Sequence, residues 1–130
     1  MTTAQELPPA KRNIPAITLS VLLALVFVSA GLGKVMDTPP SPENFTRWQL
    51  SMGFMHAIGA LEVAGGVALL IPAVSALSAV GLFAIMGGAL RTGLAFREPL
   101  HIWLPLTLMV MLAALVWARP GVFTKFLRRG

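Results

Sequence analysis

The chain has 130 residues, 56% of them hydrophobic and only 12% charged, a balance that excludes an ordinary soluble domain. Ten Lys and Arg against five Asp and Glu leave a net charge of +5, but the excess flanks apolar runs and no aromatics alternate with it, which is a pattern of membrane topology and not of nucleic-acid binding. There is no cysteine, so disulfides, thiolate nucleophiles, iron–sulfur clusters and cysteine zinc sites are excluded, and any electron carrier has to come from a bound cofactor or a partner.

Residues 1–13 are polar, with Pro8-Pro9 ahead of Lys11-Arg12, and read as a tail ending in a basic anchor. The apolar run 14–34 is long enough for a first span. Val28-Ser29-Ala30 resembles a small-residue cleavage site, but the apolar core is longer than that of a signal peptide, so the segment is expected to be retained. A polar insertion from Lys34 to Gly53 follows. Asp37-Thr38-Pro39-Pro40 ends the first helix, because a proline ring disfavours the helical conformation in the residue before it. Ser41 as N-cap with Pro42 at the first helical position opens a short helix that carries Phe45, Trp48 and Met52 on one face. This helix is expected to lie in the membrane interface; the alternative is an ordered loop packed on the helix ends.

The second span is expected at 54–71 and the third at 74–96, with Pro72 forcing a tight turn and an antiparallel pair. On a 3.6-residue period Gly59, Glu62 and Gly66 share a face of the second span, and Gly81, Ala84 and Gly88 a face of the third. Small residues of this kind let membrane helices approach closely. The fourth span is expected at 102–118, with Trp103 and Trp117 as interfacial belts and Pro105 in its first turn or so. Residues 120–130 form a basic tail, leaving a single four-span domain over 14–119. The fold class is therefore all-α, an integral membrane four-helix bundle with a short interfacial helix between spans 1 and 2. Four spans put both termini on one side. The tails carry Lys11, Arg12, Arg119, Lys125, Arg128 and Arg129 against Lys34, Arg47, Arg91 and Arg97 opposite, so both termini are expected in the cytoplasm and the protein in the inner cell membrane.

Glu62 is the residue to explain. A carboxylate at the centre of a membrane helix costs roughly 2.5–3.5 kcal/mol on insertion scales and normally faces the bundle interior. It lies about 12 Å below Phe54 at 1.5 Å per residue, and Arg91 about 8 Å below Phe96 on the third span. Lys34 closes the first span, so Lys34, Glu62 and Arg91 converge in depth and are read as an ion-pair or substrate pocket, with Glu62 as candidate catalytic acid or base. His56 and His101 fall on the same rim. Without further ligands at defined spacing they do not make a metal or haem site.

Gly31-Leu32-Gly33-Lys34, the stretch Gly59-Ala60-Leu61-Glu62-Val63-Ala64-Gly65-Gly66 and Gly87-Gly88-Ala89 resemble the DoxX and DoxX-like membrane proteins, over about residues 16–119. Many members carry His where this chain has Arg91-Thr92-Gly93, so no histidine role is carried over. The resemblance implies a four-helix membrane bundle whose relatives include a subunit of a thiosulfate:quinone oxidoreductase, a partner in a membrane oxidoreductase complex, and receptor-assembly chaperones. The first functional expectation is an accessory subunit tied to redox or quinone chemistry, with the bilayer and an oxidoreductase subunit as partners and a quinone as the candidate cofactor. One alternative is a non-catalytic assembly or chaperone module. The other is a membrane enzyme acting on a small lipophilic substrate through Glu62.

The absence of cysteine makes the orientation directly testable. Cysteines placed at Thr2 and Gly130 should resist an impermeant thiol reagent in intact cells, while one at Ser41 should react. Labelling of both termini from outside would reverse the assigned orientation.

Overall fold

The computed structural model describes residues 14–118. The two expected tails lie outside the described residues, and with them Lys11, Arg12, Arg119, Lys125, Arg128 and Arg129. The described chain folds as five helices without strands: α1 (Ile14–Val35), α2 (Ser41–Arg47), α3 (Met52–Ala68), α4 (Ser75–Ala95) and α5 (Leu100–Ala118). Among them α1, α4 and α5 are long and apolar enough to cross a membrane, whereas α3 has 17 residues. Helix α3 begins two residues before the expected Phe54 because Ser51 caps it, its hydroxyl accepting from the Phe54 N–H at 3.0 Å. It ends before the expected Ile71, since the chain turns from Leu69 through Val74 around Pro72.

The short helix starts at the expected cap, one position earlier than expected. Pro40 occupies the N-cap without a side-chain hydrogen bond, and Ser41 and Pro42 are the first two helical residues. The Ser41 N–H donates to Thr38 O at 3.0 Å, and no side chain caps this helix start. Trp48 is the C-cap, and Met52 belongs to α3. Three helix ends at this pole close with a non-glycine residue in the left-handed region: Asp37 (φ 54°) after α1, Gln49 (φ 62°) after α2 and Arg97 (φ 55°) after α4. In each case the next N–H reaches back into the last turn, Thr38 to Gly33 O at 2.8 Å, Leu50 to Phe45 O at 2.9 Å and Glu98 to Gly93 O at 3.0 Å. These are Schellman closures, and they satisfy carbonyls that a helix end would otherwise leave bare.

The helices pack most closely as two pairs, α1 with α3 and α4 with α5, joined by α1–α5 and α3–α4 contacts. In the first pair the backbones touch. A Cβ on Gly31 would stand 2.5 Å from Gly59 O, one on Gly59 would stand 2.7 Å from both Gly31 O and Lys34 Cβ, and one on Gly66 would meet Val28 Cγ2 at 3.0 Å. The pairing of Gly31 with Gly59 and of Val28 with Gly66 makes the two helices antiparallel. In the second pair Pro105 lies inside α5 and has no N–H for the His101 carbonyl four residues back. Gly93 of α4 packs directly against that carbonyl, where a Cβ would collide.

The apolar core gathers Leu23 and Phe27 of α1, Leu69, Ala79, Leu82 and Met86, and Leu108, Leu112 and Leu115 of α5. The outer faces are apolar too, with Leu25 62% and Val110 63% exposed, as lipid contact requires. The expected small-residue face on the third span is not an internal packing face. Gly81, Ala84 and Gly88 are exposed, and a Cβ on either glycine meets nothing within 4 Å. The reason is that α4 turns Ala79, Leu82, Met86 and Gly93 inward, on the other side of the helix.

Gly59→Ala should therefore force α1 and α3 apart and lower stability by about 1–3 kcal/mol, the usual range for overpacking. Gly81→Ala, in open space, should leave the melting temperature unchanged or slightly raised. A thermal melt of both variants in detergent checks the contrast, and an unaltered Gly59→Ala melt would contradict it.

Candidate functional site

Lys34 stands in the last turn of α1 and Glu62 at the middle of α3. Because Gly31 and Gly59 bring the two backbones together, Lys34 Nζ donates to Glu62 Oε1 at 2.9 Å. Glu62 is 2% exposed and the Lys34 side chain 19% exposed. A carboxylate this buried has to be met by a donor, and here the donor is a full cation. The depth argument that joined Arg91 to these two does not carry into three dimensions. Arg91 is exposed on α4 and has no ion-pair partner among the described residues. It follows the inward-facing Met86 by five residues, which on a 3.6-residue turn swings it about 140° round the helix. Equal depth does not make a shared face.

The two histidines sit in separate acid pairs. His56 Nε2 is 2.6 Å from Asp37 Oδ1, tying the start of α3 to the turn after α1. His101 Nδ1 is 3.0 Å from Glu98 Oε1, and its ring meets Trp48 edge-on at 4.9 Å. Among the described residues no group of three or more His, Asp and Glu is placed to hold a metal ion.

Glu98 is the centre of the larger of these two clusters. Arg47 grips it with both ends of the guanidinium fork, Nε to Oε2 at 2.9 Å and Nη2 to Oε1 at 2.8 Å. Trp48 Nε1 adds a third donor to Oε2 at 3.1 Å, and Asn44 Oδ1 steadies the guanidinium at 2.9 Å. The hydrogen bonds from Arg47 lead the effect that lowers the Glu98 carboxyl from 4.5 to about 2. The left-handed Arg97 sets Glu98 at the head of the α4–α5 turn, so this clamp straps α2 across the mouth of that turn. Arg47, Trp48, Glu98 and Asp37 were not singled out from the sequence as site residues. Their partners lie 51, 50, 51 and 19 positions away in the chain, and no periodic pattern points to them.

Between α3 and α4 runs an open apolar groove of about 490 Å³, walled by Leu61, Ala64 and Gly65 on one side and Leu77, Gly81 and Ile85 on the other. The Ser78 hydroxyl donates to Gly65 O at 2.6 Å along its floor. Glu62 is not among the lining residues, because its face of α3 is turned to α1.

A family model described as the DoxX-like family matches residues 18–115. The chain belongs to the DoxX-like family. Lys34, Glu62, Arg91 and the Glu98 clamp all fall inside the matched stretch. Family membership together with three long apolar helices makes this DoxX-like chain a multi-pass membrane protein. No curated protein and no solved structure matches it.

The Glu98 clamp has a defined pH range. Its folded value is depressed, so its contribution is complete above the ordinary carboxyl value of 4.5 and is lost as pH falls toward about 2. With Trp103 and Trp117 changed to Phe, and His101 to Asn so that no imidazole titrates against the indole, Trp48 emission should stay constant from pH 7 to 4.5 and shift only below it. Glu98→Gln should show the acid-state emission already at pH 7. A transition centred on the ordinary carboxyl value, or a silent Glu98→Gln, would contradict the clamp.

Proposed function

We propose that this DoxX-like protein is a four-span, non-catalytic accessory subunit of a membrane oxidoreductase that works with quinones, and that the Lys34–Glu62 pair holds its bundle together. The observation that carries the reading is that Glu62 is 2% exposed, is paired with Lys34 in a backbone-tight helix contact, and does not line the apolar groove. A catalytic acid or base must reach its substrate, and this carboxylate would have to leave its cation first. The assembly-module alternative shares this structural role and differs in its partner. The membrane-enzyme alternative needs Glu62 free.

The fourth span rests on α3. Seventeen residues rise about 26 Å, close to the ~30 Å hydrocarbon core, and α3 lies antiparallel along α1. Four crossings return both termini to one side, which the distribution of Lys and Arg makes the cytoplasmic side of the inner membrane. The redox and quinone link comes from the family resemblance. With no thiol in the chain, the electron carrier is a bound cofactor or belongs to the partner.

Glu62→Gln leaves Lys34 facing a neutral amide. Breaking one side of a buried pair costs about 3–5 kcal/mol, so yield and melting temperature should fall together. Adding Lys34→Met should restore much of both, because the stranded cation goes with it. A Glu62→Gln protein as stable as the parent would overturn the structural role and return Glu62 to ligand or proton chemistry.

A further inference from the structure

We infer that the α4 face formed by Gly81, Ala84, Gly88 and Arg91 docks a membrane-spanning helix of a different chain, one that carries an Asp or Glu at the depth of Arg91. This deepens the accessory-subunit reading and rests on it. The four residues follow at i, i+3, i+7 and i+10, which is one stripe of a helix, and all four are exposed.

The glycines are the first sign. Gly31, Gly59, Gly66 and Gly93 each press against a neighbouring helix so closely that a Cβ would disturb it. At Gly81 and Gly88 a Cβ would meet nothing within 4 Å. Glycine weakens a helix relative to alanine, and nothing among the described residues accounts for two of them here. Membrane helices approach one another at such surfaces.

The charge is the second sign, and it selects the occupant. Cations within spanning helices normally find a counter-charge. Asp37 is engaged by His56, Glu62 by Lys34, and Glu98 by Arg47 and His101, while Glu43, on α2, makes no ion pair with Arg91. The acid for Arg91 has to arrive from outside the described chain. A lipid phosphate reached by snorkelling would answer the charge alone, since Gly81 lies about 15 Å deeper and no headgroup requires it. A second copy of this chain fits poorly. Copies inserted in the same direction and meeting on this face through a two-fold axis would set Arg91 against Arg91. A different helix with a small-residue face and one carboxylate answers both signs, and the adjoining groove at Leu77, Gly81 and Ile85 gives it a flank.

The test uses the full chain in its host membranes, with a benzophenone amino acid at Ala84 and the adduct mapped by mass spectrometry. The expected adduct is a spanning helix of another chain with an Asp or Glu within one turn of the depth of Arg91. It should fall by more than about tenfold in Arg91→Glu and in Gly88→Leu, and return when the partner acid is changed to Arg in the Arg91→Glu background. The melting temperature of the isolated variants should be unchanged; if Arg91→Glu is unstable, Arg91→Met takes its place. Adducts to a second copy or to lipid alone, or an adduct indifferent to Arg91, overturn the inference. A native gel of the same membranes separates the two levels. A larger assembly that persists without α4 adducts sinks the docking face and leaves the accessory reading standing, whereas migration as a lone chain sinks both.

Discussion

A carboxylate in the middle of an apolar helix constrains everything around it. Glu62 has to be met by a cation, and Lys34 reaches it only because the α1 and α3 backbones touch at Gly31 and Gly59. Any side chain larger than hydrogen at those positions pushes the helices apart and strains the pair. Glycine contact and ion pair therefore depend on each other: one sets the distance, the other makes that distance necessary. The second helix pair uses a different device. Pro105 leaves the His101 carbonyl without its helical donor, and Gly93 admits that exposed stretch of backbone to close packing.

The pole that carries α2 is organised by charge more than by apolar burial. Asp37–His56 closes the turn after α1, and Arg47–Glu98 with Trp48 and His101 fastens α2 to the α4–α5 turn. Left-handed residues at Asp37 and Arg97 aim the chain into these contacts, so local helix termination and long-range tethering are one event. Phe45, buried under this strap with its ring tilted against Trp48 and Phe54, anchors α2 from below.

Helix positions were legible because long apolar runs bounded by proline and charge leave little choice. The first run was read as 14–34 and the helix is Ile14–Val35; the third was read as 74–96 and the helix is Ser75–Ala95. Helix α3 was harder, since its cap at Ser51 lies in a polar stretch and its end is set by a turn among apolar residues. Glu62 stands out as a charge in an apolar segment, and Lys34 as a cation converging with it in depth. Arg91 was drawn to them by the same measure and lies elsewhere, because depth along a helix is readable from residue count while the direction it faces depends on which neighbour it packs against. The Glu98 clamp joins residues about fifty positions apart and leaves no local trace.

The account stands on Lys34 and Glu62 being in contact inside the bilayer. Solid-state NMR on protein in lipid, with ¹⁵N in the lysine side chains and ¹³C in the glutamate carboxyls, reads that contact directly. A strong Nζ–carboxyl dipolar coupling is predicted, and it should vanish in Glu62→Gln. Absence of the coupling in the parent protein, or its survival in that variant, would contradict the central claim.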